Sequence, residues 1–376
     1  MDFHPTEEQA EAVDLAARIF RDLATHERLA AAGTGSDAEL WKALTTAGLI
    51  AAVEDIGLLG LVLVLEEQGR TTAQVPYAAT CVYGLLPVAA HGSPAQRARL
   101  LPALGTGEAV ATGAFPHRGR ITASPDGRLT GTAPVVPWLR DATHVLVPDA
   151  DRALWLVRTD APGVVTRPVE TTAPWSAGRL TLTDTPAERL GDPGAPPAPN
   201  TGSAPDTHLA PDTRSAPDTT AYEATLAAAR TAFAGLQAGV CAGSLARAVA
   251  YTSTREQFGR PLSTNQGVML RAADAHMDTE AIRVTAYEAA WRIDAGLPAR
   301  EHALTAAWWA SEAGKRVVHA GQHLHGGMGA DLDHPVHRHF LWGRQLDAYL
   351  GCGSELLAEL GAVLATVTPA TERDDT

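Results

Sequence analysis

The chain has 376 residues, 45% of them hydrophobic, which supports a sizeable core and is too apolar for a disordered protein. At roughly 150 residues per domain it holds two or three domains. Thirty basic against 43 acidic residues leave a formal charge of −13, which excludes the basic face of a nucleic-acid binder and the polybasic patch of a membrane-surface protein.

The N-terminal part reads as helical. Thr6 precedes Glu7 and Glu8 as a helix cap with acids in the first turn, and Ala10, Val13, Ala16, Ile19 and Phe20 recur at helical spacing. Met1 to Pro5 shows neither a basic nor an apolar leader region, so a cytoplasmic protein is expected. Ser36-Asp37-Ala38-Glu39 has the form of a capping box ahead of Leu40 and Trp41, and Ser93-Pro94 that of a helix start. The longest apolar run, Ile56 to Leu65, is half the ~20 residues a spanning helix needs, and its flank Glu66-Glu67-Gln68 favours a buried helix over a strand. From Gly113 to Gly191 short β-branched runs alternate with turns, and Asp126-Gly127 between Ile121-Thr122 and Leu129-Thr130 predicts a hairpin. Residues 193–221 are rich in proline and alanine, with Ala-Pro-Asp-Thr beginning at Ala204, Ala210 and Ala216, and are expected to form a surface loop. Beyond them Pro261, Pro298 and Pro335 punctuate four long helices. The expected organisation is α+β in α-β-α order: 1–112 helical, 113–192 β, 193–221 linker, 222–376 helical bundle.

Three cysteines, Cys81, Cys241 and Cys352, are far apart and without CxxC spacing, so neither a disulfide scaffold nor a cysteine zinc site fits. Six histidines between His319 and His339 lack the H-E-x-x-H spacing of a zinc helix, and Asp331 and Asp333 are expected to cap the helix after Pro335. Two segments carry more. Arg255-Glu256-Gln257-Phe258-Gly259-Arg260-Pro261 with Gln266 offers a planar guanidinium fork, an apolar face and a bidentate amide at one helix turn. His323-Leu324-His325-Gly326-Gly327 supplies paired glycines after a helix, where free backbone N–H groups can face a phosphate.

In this order and spacing, the two segments resemble the acyl-CoA dehydrogenase family, with its R-x-x-F-G-x-P, its Q and its Q-x-x-G-G-x-G loop. The resemblance extends to Phe3–Asp14, to Leu40–Leu49 and to Leu65-Glu66-Glu67-Gln68-Gly69-Arg70, and its tail looks most like an actinobacterial branch associated with steroid and polyketide-type acyl-CoA substrates. It implies an N-terminal helical domain, a small β domain and a C-terminal four-helix bundle, with FAD completed across a subunit interface. On that resemblance Arg255, Phe258 and Gln266 contact FAD, Gly326 and Gly327 line its adenine and diphosphate portion, and Trp138 lies beside the isoalloxazine. His323 stands where the family has glutamine.

The implied reaction is α,β-dehydrogenation of an acyl-CoA or carrier-bound acyl thioester by a homodimer, a homotetramer or a heterotetramer with a related chain, with electron-transfer flavoprotein as the acceptor. Neither nucleic acid nor membrane is an implied partner. The sequence departs from the family at the base: Cys352 occupies one family position for the carboxylate, Ala229 the other, and Glu355 is the nearest acid. The flavin loop also differs, reading Ala114-Phe115-Pro116-His117-Arg118-Gly119. Two alternatives follow: a base-less partner subunit of a hetero-oligomeric dehydrogenase, or the same fold reused for a different, non-redox reaction.

Overall fold

The computed structural model describes residues 3–117, 121–191 and 220–367. The loop expected at 193–221 lies outside these residues except for Thr220 and Ala221, which are the cap and first residue of a helix. The order of elements is helical, then β, then helical, the order expected from the sequence.

Helices α1 (Glu7–Leu23), α2 (His26–Ala32) and α3 (Ala38–Thr46) open the chain. Thr6 caps α1, its hydroxyl accepting from Gln9 N–H while the Gln9 side chain accepts from Thr6 N–H. The expected box at Ser36 is displaced by one residue. Asp37 is the cap of α3, accepting from the N–H groups of Glu39 and Leu40, and Ser36 instead donates to Asp141. A carboxylate outcompetes a hydroxyl here because its bonds are charge-assisted, and Arg28 grips the same carboxylate at 2.7 Å.

The apolar run at Ile56 is helical, within α4 (Val53–Thr71), but a break interrupts it: Gly57 has φ 68°. The N–H groups freed at Leu58 and Leu59 donate to Asp294, at 2.8 and 2.9 Å, so a carboxylate 236 residues away caps the second part of α4. Helix α5 (Tyr77–Thr80) runs through a π-turn (Cys81–Leu85) into α6 (Leu86–His91), and α7 (Pro94–Gly105) starts on Ser93 as the sequence predicts.

Two four-stranded sheets follow. One orders β1 (Ala111–Gly113), β4 (His144–Pro148), β5 (Leu154–Arg158) and β8 (Glu188–Arg189), with β1 parallel to β4. The other is antiparallel: β2 (Ile121–Ala123), β3 (Arg128–Val136), β7 (Gly178–Pro186) and β6 (Val164–Pro168). The β2–β3 hairpin turns at Asp126-Gly127, where Gly127 takes φ 77°.

The C-terminal helices are α8 (Ala221–Thr254), α9 (Gln266–Asp294), α10 (Arg300–Leu324), α11 (Val336–Tyr349) and α12 (Gly353–Val367), with the short strands β9 (Glu256–Gln257) and β10 (Arg260–Pro261) between α8 and α9. The fourth helix expected from the sequence is thus two helices, broken at Leu350-Gly351-Cys352, where Gly351 has φ 123°. Asp331 and Asp333 do not cap α11: Pro335 sits at the cap position, and Asp331 accepts from Asp333 N–H within the preceding turn. That short Asx turn satisfies the Asp331 carboxylate two residues on, ahead of the helix. Helix α8 is the central element. It is apolar and long enough to cross a bilayer, yet 72% of its most apolar window is buried inside the protein, as in a core helix. It crosses α4 at small residues: a Cβ on Gly239 would collide with the Glu66 carbonyl, and one on Gly69 with the Leu236 carbonyl.

Candidate functional site

The Arg255 segment forms a protruding hairpin. Helix α8 ends at Thr254, and Arg255 turns into extended backbone with its N–H donated to the Tyr251 carbonyl. Gln257 pairs with Arg260 across the hairpin, leaving Phe258 and Gly259 as a two-residue turn with φ 57° and 75°. Positive φ at both positions is what such a tight turn needs, but a phenylalanine there is strained. Its ring is 96% exposed. Gln266, the first residue of α9, and Arg255 are also exposed.

The glycine segment reaches the same place. His323 is exposed on the last turn of α10, and Gly326–Ala330 form a short 3-10 turn. A Cβ on Gly326 or Gly327 would meet nothing within 4 Å, so this backbone is open to a ligand. The two motifs are joined by a ring stack, Tyr251 on His325, with centroids 4.9 Å apart. His325 is fixed in turn by its Nδ1, 2.7 Å from the Gly321 carbonyl. Arg255, Phe258, Gln266, His323, Gly326 and Gly327 therefore belong to one exposed end of the bundle.

Trp138 lies elsewhere, in the interior, fully buried and with φ 52°. Trp175 stacks on it at 4.4 Å between centroids and also meets the edges of Trp342 (5.7 Å) and Tyr349 (5.8 Å). The wall continues through Phe233 (4.9 Å from Tyr349), Tyr83 (6.2 Å), Phe115 (5.2 Å) and Tyr222 (5.4 Å). All three parts of the chain contribute: Tyr83 from the first helices, Phe115, Trp138 and Trp175 from the β region, the rest from the bundle. The hydroxyls of Tyr83 and Tyr349 are 2.9 Å apart, and burial pushes both phenols up. The indole N–H groups of Trp138, Trp175 and Trp342 are buried without an acceptor. Such a donor costs about 1–3 kcal/mol, so this is not an optimised hydrocarbon core. A planar ring could lie against the stacked face of Trp138 only if Trp175 left it.

No carboxylate is set beside this wall at either expected base position. Ala229 is fully buried in α8. Cys352 Sγ is 3.3 Å from Ser354 Oγ, and Cys352 N–H donates to Glu355 Oε2 at 3.1 Å. Glu355 thus folds back over the start of α12. Arg230, beside Ala229, gives both terminal nitrogens to Glu359 at 3.0 and 2.7 Å. Among the described residues, no group of three His, Cys, Asp or Glu side chains is placed to hold a metal. Sequence reasoning missed the aromatic wall and the Arg230–Glu359 pair; the only signal for either was the neighbourhood of Trp138 and Ala229.

Residues 6–108 match the family described as acyl-CoA dehydrogenase, N-terminal domain, and residues 219–362 the corresponding C-terminal domain. The chain belongs to the acyl-CoA dehydrogenase family. These are flavin-dependent oxidoreductases of acyl thioesters. Acyl-CoA dehydrogenase FadE27 of Mycobacterium tuberculosis is 34% identical over 361 residues, covering 89% of this chain and 90% of the relative. A chain of the Tcur3481–Tcur3483 steroid ACAD variant superposes with a TM-score of 0.84 at 39% identity, covering 96% of this chain and 98% of that one. A chain of the ChsE4–ChsE5 complex of Mycobacterium tuberculosis superposes with a TM-score of 0.85 at 31% identity, covering 98% of this chain and all of the other.

Proposed function

We propose that this acyl-CoA dehydrogenase is the base-less subunit of a hetero-oligomer, and that its exposed bundle end completes a flavin site held mainly by a related chain. One observation carries the reading: the residues present fit FAD in one half and not in the other. Around Arg255, Gln266 and Gly326-Gly327, guanidinium, amide and open backbone face solvent, a donor set suited to a diphosphate and a purine edge. Around Trp138 the ring face is taken by Trp175. The exposed Phe258 on its strained turn is suited to insertion into a neighbouring subunit, since that removes a large apolar ring from water.

Bound FAD would supply the hydride acceptor of the dehydrogenation. This chain's own residues then bind and orient: Arg255 neutralises diphosphate charge, the N–H groups of Gly326 and Gly327 hydrogen-bond it, and Gln266 reads a polar edge. Removal of the α-proton needs a carboxylate near the substrate, and with Cys352 and Ala229 at the two family positions the related chain provides it. The solved relative named a steroid ACAD supports a bulky, ring-bearing acyl thioester as substrate.

The test is flavin occupancy of the complex purified with its related chain. Arg255→Ala is expected to lower FAD affinity about tenfold or more, the scale of one charged hydrogen bond, with an unchanged melting temperature. Undiminished occupancy would remove Arg255 from the site.

A further inference from the structure

The turn that carries Gly326 and Gly327 has few side chains of its own to hold it. Its five residues are Gly-Gly-Met-Gly-Ala, and Met328 is exposed. Its position is therefore set at its two ends. At the far end the Gln322 amide donates to the Gly329 carbonyl at 3.2 Å, and a Cβ on Gly329 would collide with the Gln322 carbonyl, so this end is fixed to α10. At the near end stands His325, 3% exposed, with Nδ1 2.7 Å from the Gly321 carbonyl. A carbonyl only accepts, so Nδ1 carries the proton and the bond orients the ring. That ring lies on Tyr251 of α8, with centroids 4.9 Å apart and planes 20° apart. His334, just ahead of α11, meets the same imidazole at 5.0 Å and 59°.

Tyr251 is also the anchor of the other motif. Its carbonyl accepts from Arg255 N–H at 2.8 Å where α8 ends, and the Arg255 carbonyl accepts from Leu262 N–H at 2.9 Å at the base of the hairpin. One residue thus holds Arg255 through its backbone and the glycine turn through its ring. The imidazole is one peptide bond from Gly326, where φ 62° and open space beside the Cα leave the backbone to a ligand.

Given the flavin site proposed for this bundle end, we infer that Tyr251 and His325 are positioning residues. Their stack sets the distance between the Arg255 guanidinium and the Gly326 and Gly327 N–H groups, so that both reach one diphosphate. In this role the two rings act through the backbone beside them. Hydrogen bonds weaken steeply with distance and angle, so donors on two separate elements serve one anion only when the elements are held in register. An aromatic pair suits that task because its stacking has a preferred geometry, whereas aliphatic contacts slide. The bond to Gly321 removes the remaining freedom, rotation of the ring.

The experiment is titration of FAD into the flavin-free complex of this chain with its related chain, followed by flavin fluorescence, with a thermal melt of each variant. His325→Phe and Tyr251→Phe keep the stack and are expected to bind FAD within about twofold of wild type. His325→Leu and Tyr251→Leu lose the flat face and are expected to bind it about fivefold more weakly, the scale of one aromatic pair. A second readout is coupling to Arg255. If the stack holds Arg255 in register, His325→Leu weakens FAD binding less in an Arg255→Ala background than in wild type. A residue that merely stabilises the fold gives the same loss in both. Tyr251 is half-buried, so its variants carry the test should His325→Leu not fold. Full affinity in Arg255→Ala overturns the flavin site, and this inference with it. Weak binding by Arg255→Ala beside leucine variants of wild-type affinity, or losses that simply add, overturns the positioning role alone.

Discussion

Trp138, Phe258 and Arg152 share a backbone peculiarity: each is a non-glycine residue with φ between 52° and 63°. Such strain persists where the surroundings over-determine it, and it clusters at functional sites. The Trp138 stack and the Arg152 cation–π contact are surroundings of that kind; Phe258 has none within the chain, its ring standing in water. At this scale the base question becomes testable. Ala229 is fully buried, so Ala229→Glu puts an unpaired charge into the α8 core and is expected to unfold the chain or cost several kcal/mol. Cys352 is half-buried and next to a helix start, so Cys352→Glu is expected to keep the wild-type unfolding free energy within about 0.5 kcal/mol, the usual range for such sites. In anaerobic stopped-flow with added FAD and a straight-chain acyl-CoA, that variant alone is expected to reduce no flavin, because the ring wall fills the place beside it. Rapid reduction would show that the wall opens. The two bundle motifs, at Arg255 and at Gly326, were legible because their spacing is local. The aromatic wall was not, since Tyr83, Phe115, Trp175 and Trp342 are scattered and meet only in three dimensions.

Among the elements, α4 shows where sequence patterning stops. Its apolar run reads as one buried helix, and it is one to the extent that every position from Leu58 to Leu65 is buried. The break at Gly57 does not show in the pattern, because its compensating cap comes from Asp294 at the end of α9. Burial lifts the Asp294 carboxyl to about 6, against the two backbone N–H bonds that pull it down. A raised folded-state value means that the stability it contributes is fully present below the ordinary value near 3.8 and is lost as pH rises through about 6. Asp294→Asn keeps an acceptor and removes the titration. The difference in unfolding free energy between pH 5 and pH 7.5 is therefore expected to shrink in Asp294→Asn by about 1.4 kcal/mol, read by urea melts. An unchanged difference would mean that Asp294 titrates normally. The α4–α8 crossing is the other weak point. Gly239→Ala forces a methyl onto the Glu66 carbonyl and is expected to cost about 1–3 kcal/mol in the same melts. The Asp37 cap carries the same lesson as Asp294: the box motif pointed one residue early because Arg28, across a turn, decides which acceptor wins.

For the molecule as a whole, the family fold was legible in the sequence because the two bundle motifs, the α-β-α order and the first-helix segments all agree. What sequence could not supply is the division between an open bundle end and a closed interior. Exposure of Phe258 at 96% and full burial of Trp138 are outcomes of packing, and similar residue types carry opposite roles. The central claim is that this chain lends half a flavin site and holds none of its own, and the stoichiometry of FAD per chain measures it most directly. The chain purified alone and dialysed against excess FAD is expected to retain none, and the complex with its related chain one FAD per pair of unlike chains. One FAD retained per copy of this chain alone would contradict the account.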